Sequence, residues 1–334
     1  LLALARLMIG DNLSGPTAAE LGTILTDLSH FSLIRFSGDD AQVFLQTQLS
    51  CDVSSLTSNK SIYGSYCTPK GRMLADFLIW RPSPDLSLGF RMALSRSIVA
   101  TVQKRLKMYV LRSQVQISDA SDSTVLLGVS GDAAAGAMAS VLAGLSLHEA
   151  RQFGEASSAI CLSERQFLFA VPAQSAPGLW ASLAATRRPV GTPCWEWLDI
   201  RRGIPLISAR TQEQFLPQMT NLELLGGVNF KKGCFTGQEV VARTQHLGKV
   251  KRRMFLAHLG PQGSQPPPSS GDETFSDDIP GQASGMVVSA QPAPGGGYDL
   301  LAVVHVSSRA SSTVRVRAPD GPALHFLDLP YAVT

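Results

Sequence analysis

Apolar positions along this chain fall into short runs that alternate between strand and helix spacing. Residues 33–36 read as a strand, and Ser37-Gly38-Asp39-Asp40 supplies a turn and a helix cap. Val43, Phe44, Leu45 and Leu49 then line one helix face. Residues 61–66 and 73–80 read as two strands joined by the turn Cys67-Thr68-Pro69-Lys70-Gly71-Arg72. Ser97 caps a predicted helix with Ile98, Val102, Leu106 and Tyr109 at helical spacing. Residues 125–129 begin a second strand–helix unit, with Asp132 as cap and Met138, Val141, Leu142 and Leu145 as the buried stripe. Residues 166–171 form another strand, followed by a helix carrying Leu179, Trp180 and Leu183. This repeat predicts a small α+β domain over residues 119–188.

Residues 195–200 read as a strand with alternating large side chains, which puts Trp195 and Trp197 on one face. Past Arg253 the texture changes. Residues 254–259, 285–290, 300–306 and 313–318 are short apolar runs with Gly- and Pro-rich connections, and predict a small β-barrel. Residues 260–281 read as the most loop-like stretch.

Length and composition bound the architecture. At 334 residues the chain exceeds one ordinary core, and 44% hydrophobic with 16% charged residues suits a globular protein. No run of about 18 uncharged apolar residues is present, so no membrane span is predicted. Residues 1–9 are apolar but interrupted by Arg6, with no basic n-region or clear cleavage site, and read as a terminus and not a signal peptide. Leu1 in place of a methionine leaves room for a start upstream. The five cysteines, Cys51, Cys67, Cys161, Cys194 and Cys234, form no CxxC and no Cys/His pair at zinc spacing. An odd number in a long chain is expected to be reduced, in a cytoplasm, and no metal site is predicted.

Charge sharpens the picture. The net +3 hides a segment from Lys231 to Arg253 with seven Lys/Arg and one acid, Glu239, or +6, leaving −3 for the rest. Such a field suits an anionic partner, either a polycarboxylate or phosphate ligand or RNA. A solvated basic edge is the alternative.

Within that segment, residues 231–243 read Lys-Lys-Gly-Cys-Phe-Thr-Gly-Gln-Glu-Val-Val-Ala-Arg. Cys234 sits in a turn bounded by Gly233 and Gly237, just before a helix start that Thr236 or Gly237 can cap. A sulfur near a helix N-terminus and two lysines is biased toward thiolate. A free cysteine also packs well as a small buried residue, and both readings stay open on the residues alone.

The run Lys232-Gly233-Cys234-Phe235-Thr236-Gly237-Gln238-Glu239, with Val241-Ala242-Arg243 after it, resembles the YgfZ-type folate-binding proteins. These are relatives of the glycine cleavage T protein, an aminomethyltransferase. Gly203-Ile204-Pro205, Phe215-Leu216-Pro217-Gln218-Met219-Thr220-Asn221-Leu222, Gly226-Gly227-Val228-Asn229-Phe230 and the tail Leu329-Pro330-Tyr331 support the resemblance. Gly38-Asp39-Asp40-Ala41, Phe44-Leu45-Gln46 and Cys67 with Lys70-Gly71-Arg72 fit it as well. The resemblance implies a three-domain, ring-like α+β fold with a C-terminal β-barrel and a central folate pocket. Its domains would be residues 10–118 plus 189–250, residues 119–188, and residues 251–334. It implies tetrahydrofolate or a one-carbon-substituted folate as cofactor. It also implies iron–sulfur client proteins and support of iron–sulfur enzymes, including tRNA-modifying ones.

Residue by residue, the resemblance makes Cys234 the functional thiol and sets Trp195 and Phe31 against the folate. Lys232 and Arg243 would supply positive potential, while Gln238 and Glu239 order the turn. Two departures bear on the chemistry. Aminomethyltransferases carry Gly-Glu-x-Gly-Phe-Glu, whereas Ser163-Glu164-Arg165-Gln166-Phe167-Leu168 ends here in leucine. Of their paired aspartates only Asp76 is kept, in Arg72-Met73-Leu74-Ala75-Asp76, where it reads as pocket-lining or structural. These losses weigh against a folate-dependent aminomethyl transferase, since proton transfer needs a positioned base. A further alternative is a tRNA-binding module using residues 249–253.

Overall fold

The computed structural model describes residues 15–22, 24–85, 88–132, 136, 138–154, 156–246, 248, 250–261, 263 and 265–333. Residues 1–9 and Lys249, both singled out above, lie outside the described residues. The chain divides into two compact units. The first holds the chain up to Gln48, Asp52–Tyr63 and Phe77–Trp195; the second holds Leu49–Cys51, Gly64–Asp76 and everything from Glu196 onward.

In the first unit a six-stranded sheet runs in the order Arg188–Val190, Ile24–Asp27, Thr124–Ser130, Gln166–Pro172, Ser157–Ser163, Ala150–Phe153. Only the first pair is parallel. A five-stranded sheet has the order Ser61–Cys67, Met73–Trp80, Phe90–Ser95, Phe31–Ser37, Gln116–Asp119. Its first two strands each pass from one unit into the other.

Strand alternation decides what each face buries. Val125, Leu127 and Val129, with Phe167, Phe169 and Val171, join one apolar cluster that the helix Ala176–Ala184 covers with Leu183. The intervening Leu126, Leu168 and Ala170 face a second cluster with Leu33, Leu78, Trp80, Ala93 and Trp195. Gly128 falls on that second face. A Cβ there would stand 2.5 Å from Trp195 Cε3 and 2.9 Å from Leu28 Cδ2. Gly128→Ala should therefore destabilise the protein by about 1–3 kcal/mol through overpacking, read as a lower midpoint in urea unfolding with an unchanged slope.

The second unit contains a six-stranded antiparallel sheet. Its order is Val314–Val316, Glu273–Ser276, Gly285–Pro292, Tyr298–His305, Arg252–Leu259, His325–Leu327. Its core holds Phe255, Ala257, Val287, Leu300, Ala302, Val304 and Val314.

Several expectations need correction. Residues 195–200 are not a strand: they belong to the helix Thr192–Arg201, with Pro193 in its first turn. Two residues apart on a helix lie about 200° apart around the axis, so Trp195 and Trp197 do not share a face. The strand Glu273–Ser276 lies inside the stretch expected to be loop. Among the described residues, the helix expected after Asp132 covers Ala139–Leu142 with Met138 as its cap, and Met138, Val141 and Leu145 pack on the predicted side. Ser97 lies within a 3₁₀ turn, Arg96–Ile98, that precedes the helix Val99–Lys107, and Tyr109 lies beyond that helix and is exposed.

Candidate functional site

The cysteine turn is pinned from both ends, within the second unit. Asn229 Oδ1 accepts the N–H groups of Lys231 and Lys232 at 2.8 and 3.1 Å, and Asn229 N–H donates to Ser50 O. Lys232 Nζ donates to the carbonyls of Leu49 at 2.6 Å and Cys51 at 2.8 Å, and stands 5.4 Å from the Phe235 ring centroid. Its charge therefore ties the turn to residues far away in sequence. Phe235 is buried with Val228 and Val241, and its N–H donates to Gln238 Oε1 at 3.2 Å.

Gly237 has φ +85°, and a Cβ there would run into Thr68 O, so the close approach of the Cys67–Arg72 turn requires glycine. The helix Gln238–His246 follows, carrying an exposed Glu239–Arg243 pair at 3.1 Å. Such a surface pair adds little stability.

Cys234 itself is exposed, whereas Cys51, Cys67, Cys161 and Cys194 are buried. Burial pushes the Cys67 thiol up to about 12 and the Cys194 thiol up to about 11, which keeps both protonated. Accessibility thus separates Cys234 from the other thiols.

Asp76 is buried, and its Oδ1 accepts the Ile207 N–H at 2.7 Å. Burial pushes its carboxyl up to about 7, against the lowering effect of that hydrogen bond, and the Asp199 charge adds to the rise. Burial likewise pushes Glu196 up to about 7, while a hydrogen bond from Gln291 opposes the shift. Sequence reasoning missed Glu196 and also Asp299, which is 4% exposed. Asp299 accepts from Trp197 Nε1 at 2.9 Å and Arg201 Nη1 at 3.4 Å, and its Oδ1 lies 2.8 Å from His258 Nδ1. An acid within the apolar run Tyr298–His305 was the available signal.

The basic segment is less free than its composition suggests. Arg253 is buried, bonded to Glu223 Oε1 and to Gln218 O. Arg252 Nε donates to His305 Nε2 at 2.9 Å. A cleft of about 410 Å³, lined by residues including Phe255, Arg309, Leu329 and Tyr331, contains none of the predicted site residues. Among the described residues no group of three or more His, Cys, Asp or Glu could hold a metal ion.

Trp195 and Phe31 belong to the first unit. Trp195 is 1% exposed and packed in the apolar cluster; Phe31 is half-buried against the same cluster, its ring 4.1 Å from that of His30. Phe31 is thus the one of the two with an open edge. Leu168 is buried in this cluster too.

No helix among the described residues is long and apolar enough to cross a membrane. The fold is similar to that of glycine cleavage system aminomethyltransferase T from Bartonella henselae. The TM-score is 0.76 at 21% identity, over 96% of this chain and 90% of that one. Heterotetrameric sarcosine oxidase from Corynebacterium sp. U-96, in complex with pyrrole 2-carboxylate, gives a TM-score of 0.37 at 14% identity. That match covers 55% of this chain and 91% of the other. The model of the GCVT N-terminal domain matches residues 17–232, well over half the sequence, and the chain belongs to that family.

Proposed function

We propose that this chain binds tetrahydrofolate or a one-carbon-substituted folate. It then acts as the YgfZ-type proteins it resembles do, in support of iron–sulfur enzymes that include tRNA-modifying ones. Cys234 is its working thiol. The observation that carries this reading is that Cys234 is exposed on a turn held in place by Lys232, Asn229 and Phe235 while every other cysteine is buried. Held rigidly and open to solvent, such a thiol is available for redox exchange, transient iron ligation or nucleophilic attack.

Tetrahydrofolate, when bound, supplies the one-carbon unit. Its pterin needs an apolar wall and acceptors for its N–H edge, and its tail carboxylates need cations. Phe31 offers the wall with an open edge, and Trp195 backs the same cluster. Asp76 is a buried carboxyl suited to the pterin edge, and Arg243 is an exposed cation suited to the tail. Each residue type suits part of a folate on its own, Phe31 and Trp195 in the first unit and Asp76 and Arg243 in the second.

Asp76 also favours a second reading, a folate-dependent aminomethyl transferase like the T protein named above. A carboxyl raised to about 7 is matched to proton transfer at neutral pH. Leu168 counts against that reading, since an apolar side chain cannot hold the pterin as a carboxylate would.

Titrating the purified protein with tetrahydrofolate, followed by tryptophan fluorescence, tests the proposal. Saturable binding is expected. Cys234→Ala should keep the affinity within about twofold, being an exposed site, yet fail to restore iron–sulfur enzyme activity in cells lacking the protein. Absence of saturable binding would overturn the folate reading, and full restoration by Cys234→Ala would overturn the role of the thiol.

A further inference from the structure

On the five-stranded sheet, three donor side chains of the first unit share one row with no acidic side chain among the described residues beside them. Arg35 pairs directly with Arg91 across the antiparallel strands Phe31–Ser37 and Phe90–Ser95. Arg91 in turn pairs with Trp80 of the strand Met73–Trp80. Residues in register on neighbouring antiparallel strands project from the same face, so the order across that face is Arg35, Arg91, Trp80. Arg35's partner on its other side is Ser118, which brings no charge.

Neither arginine has a carboxylate within ion-pair distance among the described residues. Arg35 Nε is buried without a hydrogen-bond partner among the described residues, and so is Trp80 Nε1, on a residue 0% exposed. Arg91 is anchored through Nη1, which donates to Leu88 O at 2.8 Å and Phe90 O at 3.3 Å. Burial, and after it the like charge of Arg35, bring Arg91 down to about 10.

Like charges directly opposite on adjacent strands destabilise a sheet, and buried donors without acceptors add to that cost. A row with two cations, two buried N–H groups left over and no anion is therefore incomplete as it stands. Water could accept a hydrogen bond here but would neutralise neither charge. An oxyanion does both, because guanidinium groups bind carboxylate and phosphate through paired N–H···O bonds. We propose that Arg35, Arg91 and Trp80 form a binding site for a small oxyanion, a phosphate or carboxylate group. The site does not depend on the folate reading, and Cys234 takes no part in it.

Thermal unfolding of the full chain tests this, using inorganic phosphate or glutarate as probes, with chloride holding ionic strength constant. A saturable rise in Tm is expected, beyond that in chloride, together with a change in tryptophan emission that Trp80→Phe abolishes. Whichever probe saturates at the lower concentration assigns the group. Arg35→Gln should weaken binding about tenfold or more, the range for a lost charge-assisted hydrogen bond. Without any oxyanion Arg35→Gln should melt above the wild type, because it relieves the repulsion; at saturating anion that order should reverse. Arg91→Gln should weaken binding similarly, and Arg35→Gln carries the comparison if loss of the Leu88 and Phe90 contacts unfolds it. Failure of both probes to raise Tm above the chloride control would overturn the proposal. So would Arg35→Gln binding phosphate as tightly as the wild type.

Discussion

Replacing Trp195 with alanine should cost about 3–5 kcal/mol of stability, the range for deleting a fully buried indole. Trp195 is 1% exposed and shares its cluster with twelve other buried residues, among them Leu28, Leu33, Trp80 and Leu168. Gly128 leaves it room: the ring lies where a side chain on the strand Thr124–Ser130 would otherwise stand. Truncation would open a cavity bordered by strand backbone that cannot collapse freely, which places the loss toward the upper end of that range. Urea unfolding followed by circular dichroism gives the measurement, and a loss under about 1 kcal/mol would contradict this packing account. Trp195→Phe keeps a ring and should lose clearly less.

Much of this fold was legible because strands buried on both faces read as near-continuous apolar runs. The strands Thr124–Ser130, Gln166–Pro172, Arg252–Leu259 and Tyr298–His305 lie in or next to the stretches the apolar pattern marked. The strands that escaped notice have particular reasons. Ser157–Ser163 is fully or nearly buried but is built from serine, alanine and cysteine beside one isoleucine and one leucine, so its hydrophobicity is diluted. Gln116–Asp119 and Arg188–Val190 are edge strands, the first nearly all polar and the second containing Pro189. The Trp-x-Trp run misled because alternation of large residues also suits a helix that buries two sides. Thr192-Pro193 was the overlooked sign of a helix start.

The candidate site was legible where chemistry is local and obscure where it is tertiary. The turn around Cys234 and the glycine at 237 could be read from residue order, since a cramped turn demands glycine. The fate of Lys232 could not. Its partners Leu49 and Cys51 lie 183 and 181 residues away, and they convert a free cation into a structural tie. Arg253 counted toward a basic field on composition, yet Glu223 and Gln218 hold it in the interior. Asp299 gathers Trp197, Arg201 and His258 from positions 41 to 102 residues distant, a convergence that no spacing rule anticipates.

Asp76→Asn should change the pH dependence of stability by a few kcal/mol, and its sign is opposite to that of most carboxylates. An unfolded aspartate titrates near 4, whereas burial holds Asp76 at about 7 in the folded protein. Between those values the folded state keeps a proton that the unfolded state has released. Stability therefore falls as pH rises from about 4 to about 7, by roughly 1.4 kcal/mol per pH unit, and is level above that window. The stabilisation is complete only below the unfolded pKa. Asparagine mimics the neutral carboxyl and keeps an acceptor for the Ile207 N–H, so the variant should match the wild type near pH 4 and exceed it at pH 8. Glu196 shifts the same way, while His30, lowered to about 3 by burial and by Arg96, stabilises increasingly as pH rises from about 3. The wild-type curve mixes these contributions, and the difference curve between Asp76→Asn and wild type isolates the one residue. A flat difference between pH 4 and 8, from urea unfolding at each pH, would mean that Asp76 is ionised without penalty. A rising difference would mean that stability is given up to keep a neutral-pH carboxyl at this position, which is what a proton-transfer role for Asp76 requires.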